Sequence, residues 1–231
     1  EKKIEEMDVV FLMDRFGYAK TIDVERMNGT KRRRIRRTAI SWCCKNTDKI
    51  CIFTDRGQMH LLKKFLDLPY GKIRDKGTPI DNLSNYNSSE ENLVYIAPMA
   101  DIRQKKLLFG TKTAMLKLVS GAEFDVAKRT TAATKLNEGD MVLFVHPVAE
   151  SDHIVMQSAK DMFLRIEAGT IPEKKKGAVG VRGMRLASGD QLEAIYLLKE
   201  EDEPVSVRIK DKEVVLNRLH VANRDTKGVK R

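Results

Sequence analysis

The 231 residues are 42% hydrophobic and 33% charged, with 14 Gly and 6 Pro, a globular balance that excludes collagen-like and low-complexity architectures. No apolar run reaches the roughly 18–20 residues that cross a bilayer, and the charged start Glu1-Lys2-Lys3-Ile4-Glu5-Glu6 has no apolar stretch that would serve as a secretory signal. Lys and Arg total 43 against 33 Asp and Glu, a net charge of +10, and a basic domain of this kind is expected to meet a polyanion, nucleic acid first.

In chain order, one pattern recurs: a short apolar run, a polar turn, a second apolar run. Val9–Leu12 passes through Asp14-Arg15-Phe16-Gly17 to Tyr18–Ile22, and Ile50–Phe53 passes through Thr54-Asp55-Arg56-Gly57 to Gln58–Leu62. Leu107–Phe109 and Ala114–Leu118 flank Gly110–Thr113, and Ile154–Met156 and Met162–Ile166 flank Ser158–Asp161. A weaker fifth copy joins Val205–Ile209 to Val214–Leu216 through Lys210–Glu213. Short runs rich in Val, Ile and Phe with tight connections predict β-hairpins. Between hairpins, an acidic residue precedes a further apolar strand at Asp48, Glu91, Asp140 and Asp190. Ahead of the last three lie basic segments with Gly, Thr or both: Arg74–Ile80, Lys128–Ala132 and Val181–Leu186.

Each unit is thus about four strands in roughly 40–55 residues, the size and content of a propeller blade. The approximate units are 8–47, 48–97, 98–147, 148–198 and a partial fifth, 199–231, in one domain. Little helix is expected, one or two turns at most before Pro69; Ser84–Ser89 and Glu200–Glu203 read as loops, and Lys227–Arg231 as a frayed tail. Three cysteines, Cys43, Cys44 and Cys51, are odd in number, two of them adjacent, and the four histidines do not cluster with them. Reduced and mostly buried thiols of a cytosolic protein are expected, with no metal or other cofactor.

The placement of positive charge carries the functional reading. Lys31, Arg32, Arg33, Arg34, Arg36 and Arg37 occupy six of seven consecutive positions. They read either as a solvated run or as a phosphate clamp, for which the planar guanidinium fork is suited. Lys72, Arg74 and Lys76, then Lys128 and Arg129, then Lys174, Lys175, Lys176, Arg182 and Arg185 recur at corresponding places in successive units. In a radial array, corresponding positions lie on one ring, a track for a polyanion longer than one blade. Aromatic residues are only 6%, most Phe fall in strand patterns, and single-strand binders need exposed aromatics for stacking, so duplex DNA held by its backbone is the expected ligand. No Gly-rich phosphate loop, His-Glu-x-x-His, Cys-x-x-Cys or nucleophile elbow is present, so no catalytic residue is assigned. A propeller-type protein-interaction scaffold without DNA wrapping, and an RNA-binding module, remain as alternatives.

Three segments carry a resemblance: Phe53-Thr54-Asp55-Arg56-Gly57, Gly71-Lys72-Ile73-Arg74-Asp75-Lys76-Gly77-Thr78-Pro79-Ile80, and Lys176–Leu186. With this order and spacing, the chain from about Asp8 to Leu198 resembles the C-terminal domain of DNA gyrase A and of its topoisomerase IV counterpart, the bacterial type IIA DNA topoisomerase family. The resemblance implies an all-β β-pinwheel, a propeller-like disc of about five four-stranded blades that exchange strands, whose basic rim binds and bends or wraps duplex DNA. It also implies an accessory part of an ATP-hydrolysing, cytoplasmic isomerase. The partners implied are duplex DNA, the N-terminal breakage-reunion part of the same polypeptide, and the topoisomerase's ATPase subunit, with no membrane. Gyrase versions carry a Gln-Arg-Arg-Gly-Gly-Lys-Gly-like box in the first blade; the nearest segment here, Gly29–Ile35, is basic but lacks the Gly-Gly pair. That departure points away from supercoil-introducing wrapping and toward a topoisomerase IV-like or degenerate-box version.

Overall fold

The structure is a computed structural model that describes residues 3–27, 39–62, 68 and 70–231. Among the described residues, eighteen strands form four four-stranded antiparallel sheets and one two-stranded sheet. Each of the first four sheets is built around a hairpin: β1 (Asp8–Asp14) with β2 (Tyr18–Asp23), β4 (Ile50–Thr54) with β5 (Gln58–Leu62), β8 (Lys106–Thr111) with β9 (Met115–Ser120), and β12 (His153–Ser158) with β13 (Met162–Glu167). The first hairpin strand pairs on its other side with the next long strand of the same unit: β3 (Ala39–Lys45), β7 (Leu93–Pro98), β11 (Val142–Val148) and β15 (Leu192–Leu198). The second hairpin strand pairs with a short strand donated by the following unit: β6 (Thr78–Pro79), β10 (Thr130–Ala132), β14 (Val181–Arg182) and β18 (Val229–Lys230). This strand exchange is the pinwheel arrangement.

The inner and outer edges follow from the contacts. β3, β7, β11 and β15 touch from one sheet to the next, so they form the inner edge. The donated strands therefore form the outer edge of each sheet. The fifth hairpin, β16 (Ser206–Ile209) with β17 (Lys212–Val215), forms a two-stranded sheet, and β18 in the chain after it completes the fourth sheet.

Packing explains why the hairpin strands read as nearly unbroken apolar runs. Successive side chains point to opposite faces, and both faces are covered. On β4, Ile50 and Ile52 enter the cluster shared with the first sheet, while Cys51 and Phe53 enter the cluster shared with the third. On β12, Ile154 and Met156 face the third sheet and Val155 faces the fifth hairpin. Phe53 anchors one interface, with ring centroids 5.0 Å from Phe124 and 5.9 Å from Phe109. Burial of such side chains stabilises by about 1.5–3 kcal/mol each. The sole α-helix among the described residues, α1 (Met99–Ile102), is one turn long.

Several expectations are corrected. Asp48 does not open an inner strand: Ile50 begins the hairpin strand β4, and the first unit's inner strand is β3, so an acidic residue before an apolar run marks two different places in the unit. The fifth turn is Lys210-Asp211 alone, since Lys212 and Glu213 already pair in β17. The segment 227–231 is not a frayed tail, because Val229–Lys230 pairs with β13 and the Arg231 amide donates to the Asp161 carbonyl at 3.1 Å. Among the thiols, Cys51 is buried, Cys44 half-buried and Cys43 exposed on the inner strand β3. The helical expectation at Leu61–Leu68 falls largely on residues outside the described ones.

Candidate nucleic-acid interface on the outer edge

Each donated strand arrives as part of a longer segment laid along the outside of a hairpin. Tyr70, Glu173 and Val221 make isolated parallel bridges to Thr21, Leu118 and Arg165, which hold the same place in β2, β9 and β13. The segment then loops outward and returns as β6, β14 or β18. On the return, Gly77 (φ +88°) and Gly228 (φ +75°) pass so close to the hairpin that a Cβ would lie 2.6 Å from the Ala19 carbonyl oxygen and 2.3 Å from that of Phe163. Only glycine permits both that φ and that approach.

The loops are fixed from inside by basic side chains. The hairpin turns end at Gly17, Gly57, Ala114 and Asp161, all at positive φ. The third residue after each is Lys20, His60, Lys117 and Leu164. Lys117 is 1% exposed, and its Nζ donates to the carbonyls of Lys175 (3.0 Å), Lys176 (3.2 Å) and Ala178 (2.8 Å). Burial pulls its pKa down to about 8, with Glu123 opposing. Lys20 Nζ likewise donates to the carbonyls of Ile73 and Asp75, and its pKa is lowered by burial. At His60 the imidazole meets Thr130 Oγ1 at 2.8 Å and Glu91 at 2.9 Å.

The structure puts the sequence-assigned basic residues on these segments. Lys72, Arg74 and Lys76 lie on the loop outside β2, with Lys76 Nζ 4.6 Å over the Tyr18 ring. Lys128 and Arg129 lead into β10, and the Arg129 carbonyl accepts from the Leu61 amide at 2.8 Å. Lys174, Lys175 and Lys176 form the loop outside β9; the first two are exposed, and Lys176 is half-buried with its Nζ on the Glu123 carbonyl. Arg182 belongs to β14, while Arg185 lies beyond it, beside Thr226 of the next donated segment. Both approach Asp225, at 3.6 and 3.8 Å. Among the described residues, Lys72, Arg74, Lys128, Arg129, Lys174 and Lys175 are exposed and free of ion pairs. Lys31, Arg32, Arg33, Arg34, Arg36 and Arg37 lie outside the described residues.

Sequence reasoning missed the fourth member of the ring. Arg224, Lys227, Lys230 and Arg231 sit on the segment outside β13, with Arg224 Nη1 on the Arg182 carbonyl at 2.8 Å. The signal was present: Gly-Val-Lys at 228–230 repeats Gly-Val-Arg at 180–182. Basic residues outnumber acidic ones three to one in 70–79, two to none in 126–132, and four to one in both 173–182 and 221–231. That excess of ten equals the net charge of the whole chain, so the remaining residues sum to neutrality.

Five of the eight Phe, namely Phe11, Phe53, Phe109, Phe124 and Phe163, are at most 1% exposed. Exposed aromatic rings among the described residues are Phe16 at a hairpin tip, with the Arg15 guanidinium 4.6 Å over it, and Tyr70. Among the described residues no cluster of His, Cys, Asp and Glu is placed to hold a metal ion, and no helix is long and apolar enough to cross a membrane.

Comparison with known proteins agrees with this architecture. Residues 105–149 and 152–199, which hold the third and fourth hairpins with their inner strands, match the family model of the DNA gyrase C-terminal domain, a β-propeller. The chain is 28% identical over 194 residues to the DNA gyrase A protein of Lawsonia intracellularis, covering 80% of this chain and 23% of that one. It is 25% identical over 190 residues to the DNA gyrase A protein of Staphylococcus epidermidis, covering 79% and 21%. The chain thus spans less than a quarter of the length of these curated relatives. Among solved structures, the C-terminal domain of DNA topoisomerase IV superposes with a TM-score of 0.83 at 19% identity, covering 98% of this chain and 73% of that one. A DNA gyrase A C-terminal domain gives 0.63 at 18% identity, covering 96% and 76%. The family resemblance and the pinwheel expected from the sequence are both borne out.

Proposed function

We propose that this chain, as a relative of the C-terminal domains of DNA gyrase A and topoisomerase IV, binds duplex DNA along its outer edge and bends it there. In this reading it is an accessory part of a strand-passing isomerase in the cytoplasm. It acts beside the breakage-reunion part of the same polypeptide, while a separate subunit hydrolyses ATP. No catalytic step is assigned to its own residues.

The observation that carries the reading is the positive excess of the four exchanged segments, which by itself equals the net charge of the chain. A duplex presents one phosphate charge per about 1.7 Å of axis, so a basic edge spanning four sheets can engage many phosphates and release their counterions. Contacts of this kind position DNA without reading its sequence. Bending a site of 20–30 base pairs by 40–90° costs of order 1–6 kcal/mol, which several phosphate contacts can offset.

The test is fluorescence anisotropy of unrelated duplexes across a salt series. If about six of the edge cations meet phosphates, log K falls against log salt with a slope near −5 and does not depend on sequence. Glutamine substitution of Lys72, Arg74 and Lys76, or of Lys174, Lys175 and Lys176, is expected to flatten the slope by roughly 2–3. A flat salt dependence, or unchanged binding in both variants, would contradict the reading and favour a protein-binding disc.

A further inference from the structure

The three carbonyls gathered by Lys117 dictate the other side of the loop. In a trans peptide the N–H points opposite to the C=O across the same plane. With the carbonyls of Lys175, Lys176 and Ala178 turned in on the buried ammonium, the amides of Lys176, Gly177 and Val179 are turned away from it. The Lys176 amide meets Glu123 Oε1 at 3.3 Å. The amides of Gly177 and Val179 have no partner among the described residues. Gly177 is exposed, and the space where its Cβ would stand holds no atom within 4 Å. These two donors, with the Ala178 amide between them on the Lys175 carbonyl, are flanked by the exposed side chains of Lys174 and Lys175, and backbone amides of this kind bind anions in other phosphate sites.

We propose that Lys117 is a positioning residue for DNA: by holding the loop carbonyls inward it presents the Gly177 and Val179 amides, with Lys174 and Lys175, as a seat for one backbone phosphate. This deepens the DNA-binding reading and rests on it. The Lys175 carbonyl also accepts from the Ala178 amide (3.0 Å) and the Ala178 carbonyl from the Lys135 amide (3.3 Å), but among the described residues the Lys176 carbonyl has Lys117 alone; without the internal cation it is free to turn toward water and the Gly177 amide loses its direction, although every exposed positive charge remains. Lys20 does the same for the loop that carries Lys72, Arg74 and Lys76, through the carbonyls of Ile73 and Asp75. The fourth hairpin has Leu164 at this place, and there the next residue, Arg165, donates from Nη1 to the carbonyls of Asn217 (2.7 Å) and Leu219 (3.1 Å).

The experiment uses the chain as it stands and a random-sequence duplex as probe. It compares the wild type, Lys117→Met, the Lys174/Lys175/Lys176→Gln triple variant and the two combined, below the melting temperature of each. Lys117→Met is expected to weaken duplex binding roughly tenfold and to lower the salt slope by at least about one phosphate. The combined variant is expected to be no weaker than the triple, because both routes dismantle one seat. A merely structural role for Lys117 would leave the salt slope unchanged, or would add its effect fully to that of the triple variant; either outcome overturns the proposal. If Lys117→Met does not fold, Lys20→Met against Lys72/Arg74/Lys76→Gln gives the same cycle at a less buried site. Failure of the wild type to bind duplex sinks the DNA-binding reading itself, whereas wild-type binding that weakens in the triple variant but not in Lys117→Met sinks only the positioning role.

Discussion

Lys117 combines two opposed energies. Burial disfavours its charge, while three carbonyls accept from it, that of Lys176 with no other donor among the described residues. A buried acceptor left without a donor costs about 1–3 kcal/mol, and removal of Lys117 leaves the Lys176 carbonyl in that position while those of Lys175 and Ala178 keep the Ala178 and Lys135 amides. Lys117→Met is therefore expected to destabilise the fold by roughly 1–3 kcal/mol near neutral pH. The pH dependence has a definite sign. Between the folded value of about 8 and the ordinary 10.5, the unfolded chain binds more protons at this group than the folded chain does. Stability therefore rises with pH across that window. Urea titrations should show the margin of wild type over Lys117→Met widening from pH 8 to pH 10; a margin that shrinks would contradict the assignment. A second residue-scale effect lies at the fifth hairpin, where Lys210 occupies φ +54° at the first position of a two-residue turn, a place that favours glycine. Relief of about 1–2 kcal/mol of steric cost, partly offset by the greater freedom of glycine in the unfolded chain, predicts that Lys210→Gly stabilises by about 0.5–1 kcal/mol. A lowered urea midpoint would count against this turn geometry.

At the scale of elements, the donated strands are the weak joints. Each pairs through only two or three residues with its hairpin, yet it covers an outer strand whose edge would otherwise be open. Gly228→Ala places a Cβ against the Phe163 carbonyl at an unfavourable φ and is expected to cost about 2–4 kcal/mol. Gly177→Ala, in open space, is expected to change stability by under about 0.5 kcal/mol. Chemical denaturation of the pair checks the close approach, and equal effects would refute it. The same elements show what can be read from the chain. The hairpins are legible because apolar runs of five residues, bounded by turns such as Thr54–Gly57, leave little alternative to two-sided burial. The donated strands are not legible as strands. Thr78–Pro79 and Val181–Arg182 are two residues long and carry no period-2 pattern, so tertiary pairing alone makes them β. For that reason Lys227–Arg231 reads as a tail by composition, although it completes the fourth sheet. The caging role of Lys117 is also hidden, since a lysine in the middle of an apolar strand carries no local mark of what it will hold.

For the whole molecule, the decisive quantity is where the charge lies, not how much there is. The exchanged segments, brought to the outer edge by strand donation, carry an excess of ten, and all other residues taken together, 31–37 included, sum to zero. Recurrence of basic residues is legible in the sequence, but their assembly on one edge requires the exchange topology, which places residues of each unit on the sheet before it. The central claim is that duplex DNA curves against this edge. A duplex of about 40 base pairs is far shorter than the persistence length of about 150 base pairs and is nearly straight when free. Energy transfer between dyes at its two ends, measured while anisotropy follows saturation, is the most direct test. The ends are expected to approach one another as the protein binds, and Gln substitution at Lys72, Arg74, Lys76, Lys174, Lys175 and Lys176 is expected to remove the approach. Saturated binding with an unchanged end-to-end distance would contradict it.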